Sequence, residues 1–267
     1  MYPTNLFSAS RPFIKSTIVV PALLIGMSLT AVAEHLPVSD DFSSGDDAPW
    51  TRFQPLAPFG SPGTYSFPAG AYRIQAATPS PDAATLGPAR AGSLRNDASI
   101  TTGVITWDLV DWDDSLSQIA GGLARIREVG IGTTDGYGLV YGNGDLDLLR
   151  FDNEAVAAEV APTVAVELDP MKDYRFVFSL DGDSLMGQIF DLAAPGVVVA
   201  SISGIDGTYA SGVTGLLVAN SSPSGNGTAD ATFDNFNVVI PEPTSVTLAL
   251  LGFAALLLRR RRSRSLR

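Results

Sequence analysis

The chain is 267 residues long with no cysteine and one histidine, and its 28 acidic residues against 17 basic ones give a net charge of −11 at pH 7. Disulfide frameworks, thiolate zinc sites and cysteine nucleophiles are excluded, and one histidine argues against a Ser-His-Asp triad or a histidine metal centre. The acidic residues are concentrated in the body of the chain, which is therefore not expected to bind nucleic acid through phosphates, since that requires a positive face.

At the N-terminus, Arg11 and Lys15 precede an apolar stretch over residues 16–29, and Ala31-Val32-Ala33 has small-x-small spacing. This is the pattern of a secretory signal peptide over residues 1–33, with cleavage after Ala33 leaving Glu34 as the mature N-terminus. An uncleaved anchor is the alternative reading of the same run. The lone His35 then falls in the solvated N-terminal segment. All 28 acidic residues lie between Glu34 and Glu242 but only 9 basic ones do, so the exported part carries 9 − 28 = −19. Asp outnumbers Glu in it, which suits turns and calcium-type oxygen ligands better than helices.

Short apolar or alternating runs separated by Gly, Pro, Asn and Asp clusters predict an all-β body over residues 34–240. Residues 55–88, rich in Pro, Gly, Ser and Ala, read as long loop with short strands at 63–67 and 71–76. A strand is expected at 104–112. Another is expected at 123–129, with Leu123, Arg125, Arg127 and Val129 on one face and Ala124, Ile126 and Glu128 on the other. Residues 137–141 and 145–151 form a predicted hairpin around Gly142-Asn143-Gly144, because Asn-Gly suits a turn with positive φ. Residues 155–160 read as a turn of helix or an irregular loop. A second hairpin joins 174–180 to 184–191 around Asp181-Gly182-Asp183, and strands at 197–205, 215–219 and 229–240 complete the series. No linker or fixed-period repeat divides the body, which predicts one domain.

The C-terminal segment 241–267 has a different composition. Pro241-Glu242-Pro243 precedes an uncharged apolar run over 244–258, followed by Arg259, Arg260, Arg261 and Arg262, with Arg264 and Arg267 behind. As a helix the run would extend about 22 Å, short of a ~30 Å hydrocarbon core. Local thinning and snorkelling arginines let such a short transmembrane helix cross. Positive charge stays cytoplasmic, so everything before Pro241 is expected outside the cytoplasm. A buried core helix with a basic end is the alternative.

This ending, with Ile240-Pro241-Glu242-Pro243, an apolar span containing Gly252 and an Arg cluster, resembles the PEP-CTERM sorting signal. The resemblance covers about a tenth of the chain. It implies an exosortase-type membrane peptidase as partner beside signal peptidase, delivery to the cell surface or extracellular matrix, and a Gram-negative host that makes exopolysaccharide or biofilm. A second resemblance covers about residues 40–239. Asp40-Asp41-Phe42 with Trp50, Ala124-Arg125-Ile126 before Gly136-Tyr137-Gly138-Leu139, Tyr174-Arg175-Phe176 leading to Asp181-Gly182, Gly215-Leu216-Leu217, and Thr232-Phe233-Asp234-Asn235-Phe236 are similar to strands of concanavalin A-like or laminin-G-like jelly rolls. It implies a single jelly-roll β-sandwich with first and last strands side by side, which would bring Asp40 or Asp41 near Asp234.

Three chemistries follow. Glycosidases of this fold class that use a Glu-x-Asp-x-Glu strand set two glutamates on one face. Here Glu128, Glu154, Glu159 and Glu167 each stand outside such a motif, so no catalytic residue is assigned. The aspartate pairs in Asp111-Trp112-Asp113-Asp114 and Asp145-Leu146-Asp147 read equally as solvated faces or turns. Carbohydrate contact would use aromatic platforms, with Trp107, Trp112, Tyr137 and Tyr141 as candidates and Asp108 and Asn143 as polar partners. The competing reading places these aromatics in the core. Trp107 and Trp112 have opposite parity, so in a regular strand at most one faces the core. Asp40, Asp41 and Asp234 are candidate ligands of a structural calcium ion, no other cofactor being expected. Alternatively, Asp234-Asn235 turns or caps an edge strand. The sequence thus predicts an exported, non-catalytic protein that is structural or touches polysaccharide; a glycan-processing enzyme on the same fold is the rival.

Overall fold

A computed structural model describes residues 38–222 and 227–240. The signal-peptide assignment with Ala31, Ala33 and Glu34, and the sorting segment with Pro241, Glu242, Pro243, Arg259, Arg260, Arg261 and Arg262, lie outside the described residues.

The described chain is built of β-strands: β1 Val38–Asp40, β2 Thr51–Phe53, β3 Gly63–Ser66, β4 Tyr72–Ala76, β5 Arg90–Ile100, β6 Gly103–Trp112, β7 Gln118–Arg127, β8 Asp135–Gly142, β9 Asp145–Asp152, β10 Ala155–Glu159, β11 Val164–Ala165, β12 Tyr174–Asp181, β13 Ser184–Asp191, β14 Val198–Ile205, β15 Gly212–Asn220 and β16 Ala229–Val239. Two antiparallel sheets face each other. One runs β14-β13-β12-β6-β16-β4-β3 with β1 on β16, and the other runs β10-β9-β8-β7-β15-β5-β2 with β11 on β9. The first and last strands are neighbours, as expected, with Val38 opposite Val238 and Asp40 opposite Phe236.

Both predicted hairpins form. Asn143 and Gly144 take φ of 54° and 80° between β8 and β9, the left-handed pair that a two-residue turn requires. Strands β2, β5, β10 and β11 escaped the sequence pattern. β5 lines its inward side with Ala91 and Ser93 and its outward side with Gly92 and Leu94, so it shows no run of large alternating residues. β10 is an edge strand of mostly small residues that pairs with β9, not the turn or loop expected at 155–160.

The inner faces bury Tyr72, Ile74, Trp107, Leu139, Leu148, Phe176, Phe178, Leu216, Phe233 and Phe236 in one core. Each fully buried large apolar side chain contributes about 1.5–3 kcal/mol. Trp107 stacks on Phe176 at 5.4 Å between ring centroids, 15° from parallel. Its six-membered ring lies against Gly122 of β7 in the facing sheet, where a Cβ would overlap it. The reverse contact places Leu139 of β8 on Gly187 of β13.

Among the β-bulges, three reset the alternation where it matters for the core and the outer groove. Val110 is an extra residue between Leu109 opposite Phe233 and Asp111 opposite Thr232. An extra residue in β7 lies between Ala124 opposite Tyr137 and Arg127 opposite Asp135, with Arg125 at φ 52°. An extra residue in β16 lies between Asp234 opposite Asp108 and Asn237 opposite Thr106, with Asn235 at φ 49°. A bulge puts two residues opposite one and switches the face of everything beyond it. Leu109 and Trp112 therefore share the core, as do Phe233 and Phe236. Leu123 and Ile126 share the outer face of the second sheet, so the face assignment predicted for 123–129 is corrected.

One end of the sandwich is closed by polar groups. Arg125 is buried and donates to the carbonyls of Tyr209, Thr101 and Gly182 at 2.9, 2.5 and 2.7 Å. Tyr137 accepts the Tyr209 amide and donates to Asp206, which also takes Arg150 at 2.8 Å. Burial alone would raise the Asp206 carboxyl. The hydroxyl and amide of Thr208, with Tyr137 and Arg150, outweigh burial and lower it to about 2.

Two outcomes are expected. Gly122→Ala should lower stability by about 1–3 kcal/mol in urea unfolding, as overpacking does in a close-packed core. An unchanged midpoint would mean that Trp107 is free to move away. Because Asp206 titrates lower when folded than its ordinary 3.8, the unfolded chain binds more protons between roughly pH 4 and 2. The stabilisation, about 1–2 kcal/mol, is present above that window and lost as pH falls through it. Asp206→Asn should show a shallower loss of stability over the window in acid titrations followed by circular dichroism.

Candidate functional site

The four aromatic candidates separate into two pairs. Trp107 and Tyr137 are fully buried, one stacked on Phe176 and the other hydrogen-bonded to Asp206, so neither is a ligand platform. Trp112 and Tyr141 are also core residues, 8% and 7% exposed, but both reach the wall of a cavity at one end of the sandwich. The expectation that at most one tryptophan faces inward fails because the Val110 bulge turns Trp112 to the side of Trp107.

The cavity holds about 240 Å³. It lies where β6 ends, β7 begins, the β8–β9 turn closes and the chain approaches Leu168. Trp112 sets its edge against Tyr141 and Tyr174, with centroids at 6.2 and 6.0 Å. The Tyr141 hydroxyl accepts the Leu168 amide at 3.2 Å, which leaves its own proton to donate. Burial pushes this phenol up, and the carboxylates of Glu167 and Asp114 add to the shift.

The rim is polar. Asn143 lines the cavity, and its amide nitrogen donates to Ser221 Oγ at 2.8 Å, leaving the side-chain carbonyl open. Gln118 beneath it bonds the carbonyls of Asp113 and Asp230 at 2.8 and 3.0 Å and so ties β7 to the β6 turn and to β16. Asp113 accepts the amide and hydroxyl of Ser115. Asp114 and Glu167 are exposed cavity-lining carboxylates with no hydrogen bond or ion pair among the described residues. An aromatic wall with unspent planar polar groups at its mouth suits a small polyhydroxylated ligand.

Asp108, the other polar candidate, is elsewhere. It lies buried between β12 and β16, where it takes both nitrogens of Arg175 at 2.7 and 2.8 Å and the Asn235 amide at 2.9 Å.

Two other depressions differ in character. A groove of about 850 Å³ crosses the outer face of the second sheet, lined by Phe53, Leu123, Ile126, Leu149, Phe151 and Leu217. Its charged flank, Arg90 with Glu154 at 2.6 Å, is internally paired. An open hollow of about 480 Å³ near the chain ends is lined by Asp40, Asp41, Arg175 and Asn235.

Asp41 lies near enough to Asp234 to repel it, but Asp40, Asp41 and Asp234 each turn to separate partners. Asp40 accepts the Phe42 amide and the Trp50 indole at 2.8 Å each and lies 3.6 Å from Arg95. Asp41 turns to Ser43, and Asp234 accepts the amide of Asn235. Burial raises the Asp234 carboxyl, with repulsion from Asp108, Asp41 and Asp173. Among the described residues no three acidic, histidine or cysteine side chains are grouped as metal ligands. Beyond the Asn235 bulge, Phe236 lies opposite Asp40 and packs in the core.

No protein-family model matches the chain, and no curated protein matches it. Solved structures do. A prokaryotic β-1,3-1,4-glucanase (lichenase) derived from a mouse hindgut metagenome superposes with a TM-score of 0.54 at 12% identity, over 76% of this chain and 98% of that one. The β-glucanase of Bacillus licheniformis gives 0.50 at 12% identity over 77% and 98%. A Bacillus subtilis protein with a galectin-like fold gives 0.51 at 13% identity over 75% and 94%. The body therefore has the concanavalin A-like jelly-roll sandwich, and at these identities the likeness is one of fold.

Proposed function

We propose that this is an exported, non-catalytic surface or matrix protein whose sandwich contacts carbohydrate through the Trp112–Tyr141 cavity. Its C-terminal segment acts as a PEP-CTERM-type sorting signal and short membrane anchor, with signal peptidase and an exosortase-type peptidase as processing partners. The observation that carries the carbohydrate reading is the meeting of Trp112, Tyr141 and Asn143 in one cavity, with Asp114 and Glu167 unspent at its mouth. The jelly-roll fold, which the two glucanases also have, supports it at the level of architecture. Export and sorting rest on the two end segments of the sequence, with their n-region, small-x-small site, Pro-Glu-Pro and arginine cluster.

The rival is glycan hydrolysis. Two carboxyl groups must then face each other across the bond, about 5–10 Å apart depending on mechanism. The long groove of the outer face is lined by one carboxylate, Glu154, which is paired with Arg90, so that groove does not offer such a facing pair.

Two measurements test the proposal. Cell fractionation with mass spectrometry of both termini should find mature protein beginning at Glu34 outside the cytoplasm; intact chain through Arg267 in cytosol alone would overturn the sorting. Polysaccharide pull-down should retain the full chain without releasing reducing sugar, and Asn143→Ala should weaken retention about fivefold to tenfold, one hydrogen bond's worth. Release of reducing sugar would select the enzyme, and unaltered retention of Asn143→Ala would remove the cavity as the site.

A further inference from the structure

The two sheets end on β14 and β3, and on β10 and β2. Three of these edges are guarded. β3 has four residues and β2 has three, one of them Arg52. β10 has five, carries Glu159 and is bent by a bulge beyond Val156. Short length, charge and bulges are the usual means by which a sheet edge avoids pairing with another chain. β14 is the exception. Val197 to Ile205 contains no charged residue and no proline. Its bulge lies at the start, at Val199, and from Ala200 to Ile205 the strand runs in unbroken register along β13.

The ladder shows which way the backbone of β14 points. Asp206 donates its amide to the Asp183 carbonyl at 2.9 Å, and Ile205 lies opposite Ser184. Antiparallel pairs alternate between bonded and non-bonded. Gly204, Ile202 and Ala200 therefore bond to β13, whereas Ile205, Ser203 and Ser201 turn their amides and carbonyls to the free side. Among the described residues no strand pairs with that side and no hydrogen bond reaches it.

The side chains agree. Ala200 and Ile202 go into the core, while Ser201, Ser203 and Ile205 are exposed, Ile205 at 82%. With the exposed Val198 and Val199 they form an uncharged strip with apolar ends, on a body whose net charge is −19. Two bodies so charged repel each other and meet best where neither carries charge. The occupant of this edge must bring a row of backbone donors and acceptors at strand spacing, no net charge and apolar groups at its ends. β14 itself meets these conditions. Turned antiparallel about Ile202, it sets Val199 opposite Ile205 and Ser201 opposite Ser203, so that the apolar ends cover each other.

We propose that the free edge of β14 pairs antiparallel with β14 of a second copy, continuing the first sheet across a two-fold axis. No residue of β14 lines the Trp112–Tyr141 cavity, so this interface goes beyond the carbohydrate reading and stands or falls apart from it.

Sedimentation of the full chain in nonionic detergent tests it. A dimer should form and strengthen as salt rises from about 0.05 to 0.5 M, because screening relieves the repulsion between acidic bodies. Ser201→Pro removes an amide from the free side and none from the β13 ladder. It should weaken the dimer about tenfold or more with little change in melting temperature. The chain has no cysteine, so introduced thiols report contacts between copies. Under mild oxidation a mixture of Ser201→Cys and Ser203→Cys should cross-link, since opposed Cα atoms about 5.5 Å apart accept a disulfide. Met171→Cys, at a position 89% exposed and outside β14, should not.

A monomer at every salt concentration would overturn the proposal. So would a dimer that Ser201→Pro leaves unchanged, which would place the contact elsewhere, or one that Met171→Cys cross-links equally well. Cross-linking of Ser201→Cys alone and of Ser203→Cys alone as fast as the mixture would overturn it too, because parallel strands pair each residue with itself. If Ser201→Pro fails to fold, the cysteine mixture decides.

Discussion

The sandwich depends on a pair of reciprocal close approaches between its sheets. Trp107 of the first sheet lies on Gly122 of the second, and Leu139 of the second lies on Gly187 of the first. At both points a large side chain reaches the opposite backbone because no Cβ stands in the way. The requirement is steric, since neither glycine has positive φ. With these contacts made, the stack of Trp107 on Phe176 and the surrounding Phe178, Leu148 and Leu216 are fully buried in one core. Interiors packed at crystal density tolerate little change of volume at such points.

Around this interlock the bulges distribute the chemistry. Each adds one residue and turns the following side chains over, so apolar pairs spaced by three come to share a face. The bulge at Val110 completes the core with Trp112 and brings it to the cavity wall. That in β7 adds Ile126 to the outer apolar groove and frees Arg125 to clamp three carbonyls at the far end. That in β16 buries Phe236 beside β1, which leaves the acidic residues there to local turns and to Arg95 and Arg175. The two ends of the sandwich therefore differ. One is sealed by the Arg125, Tyr137 and Asp206 network, and the other opens into a cavity with unspent carboxylates.

Much of the candidate site was legible as a set of residue types but not as a set of neighbours. Trp112, Tyr141 and Asn143 were candidates from composition, and the structure brings these three together. Trp107, Tyr137 and Asp108 were candidates on equal grounds, and packing places them in the core or under Arg175. Glu167 carried no motif to mark it; it reaches the cavity because the chain after β11 folds over the β8–β9 turn near Gly144. Strand β5 was missed because small residues pack there and leave no hydropathy signature, and β10 because it is an exposed edge strand with no buried face to mark it.

By itself the sequence determined the all-β class, both tight hairpins, the charge of the body and the absence of cysteine and histidine chemistry. These are properties of composition and of local backbone preference, such as the positive φ of Asn143 and Gly144. Only the tertiary structure decided which side chains share a face and which carboxylates go unpaired. Alternation is a local rule that holds while pairing is regular, but a bulge is set by the register of a partner strand far away in sequence.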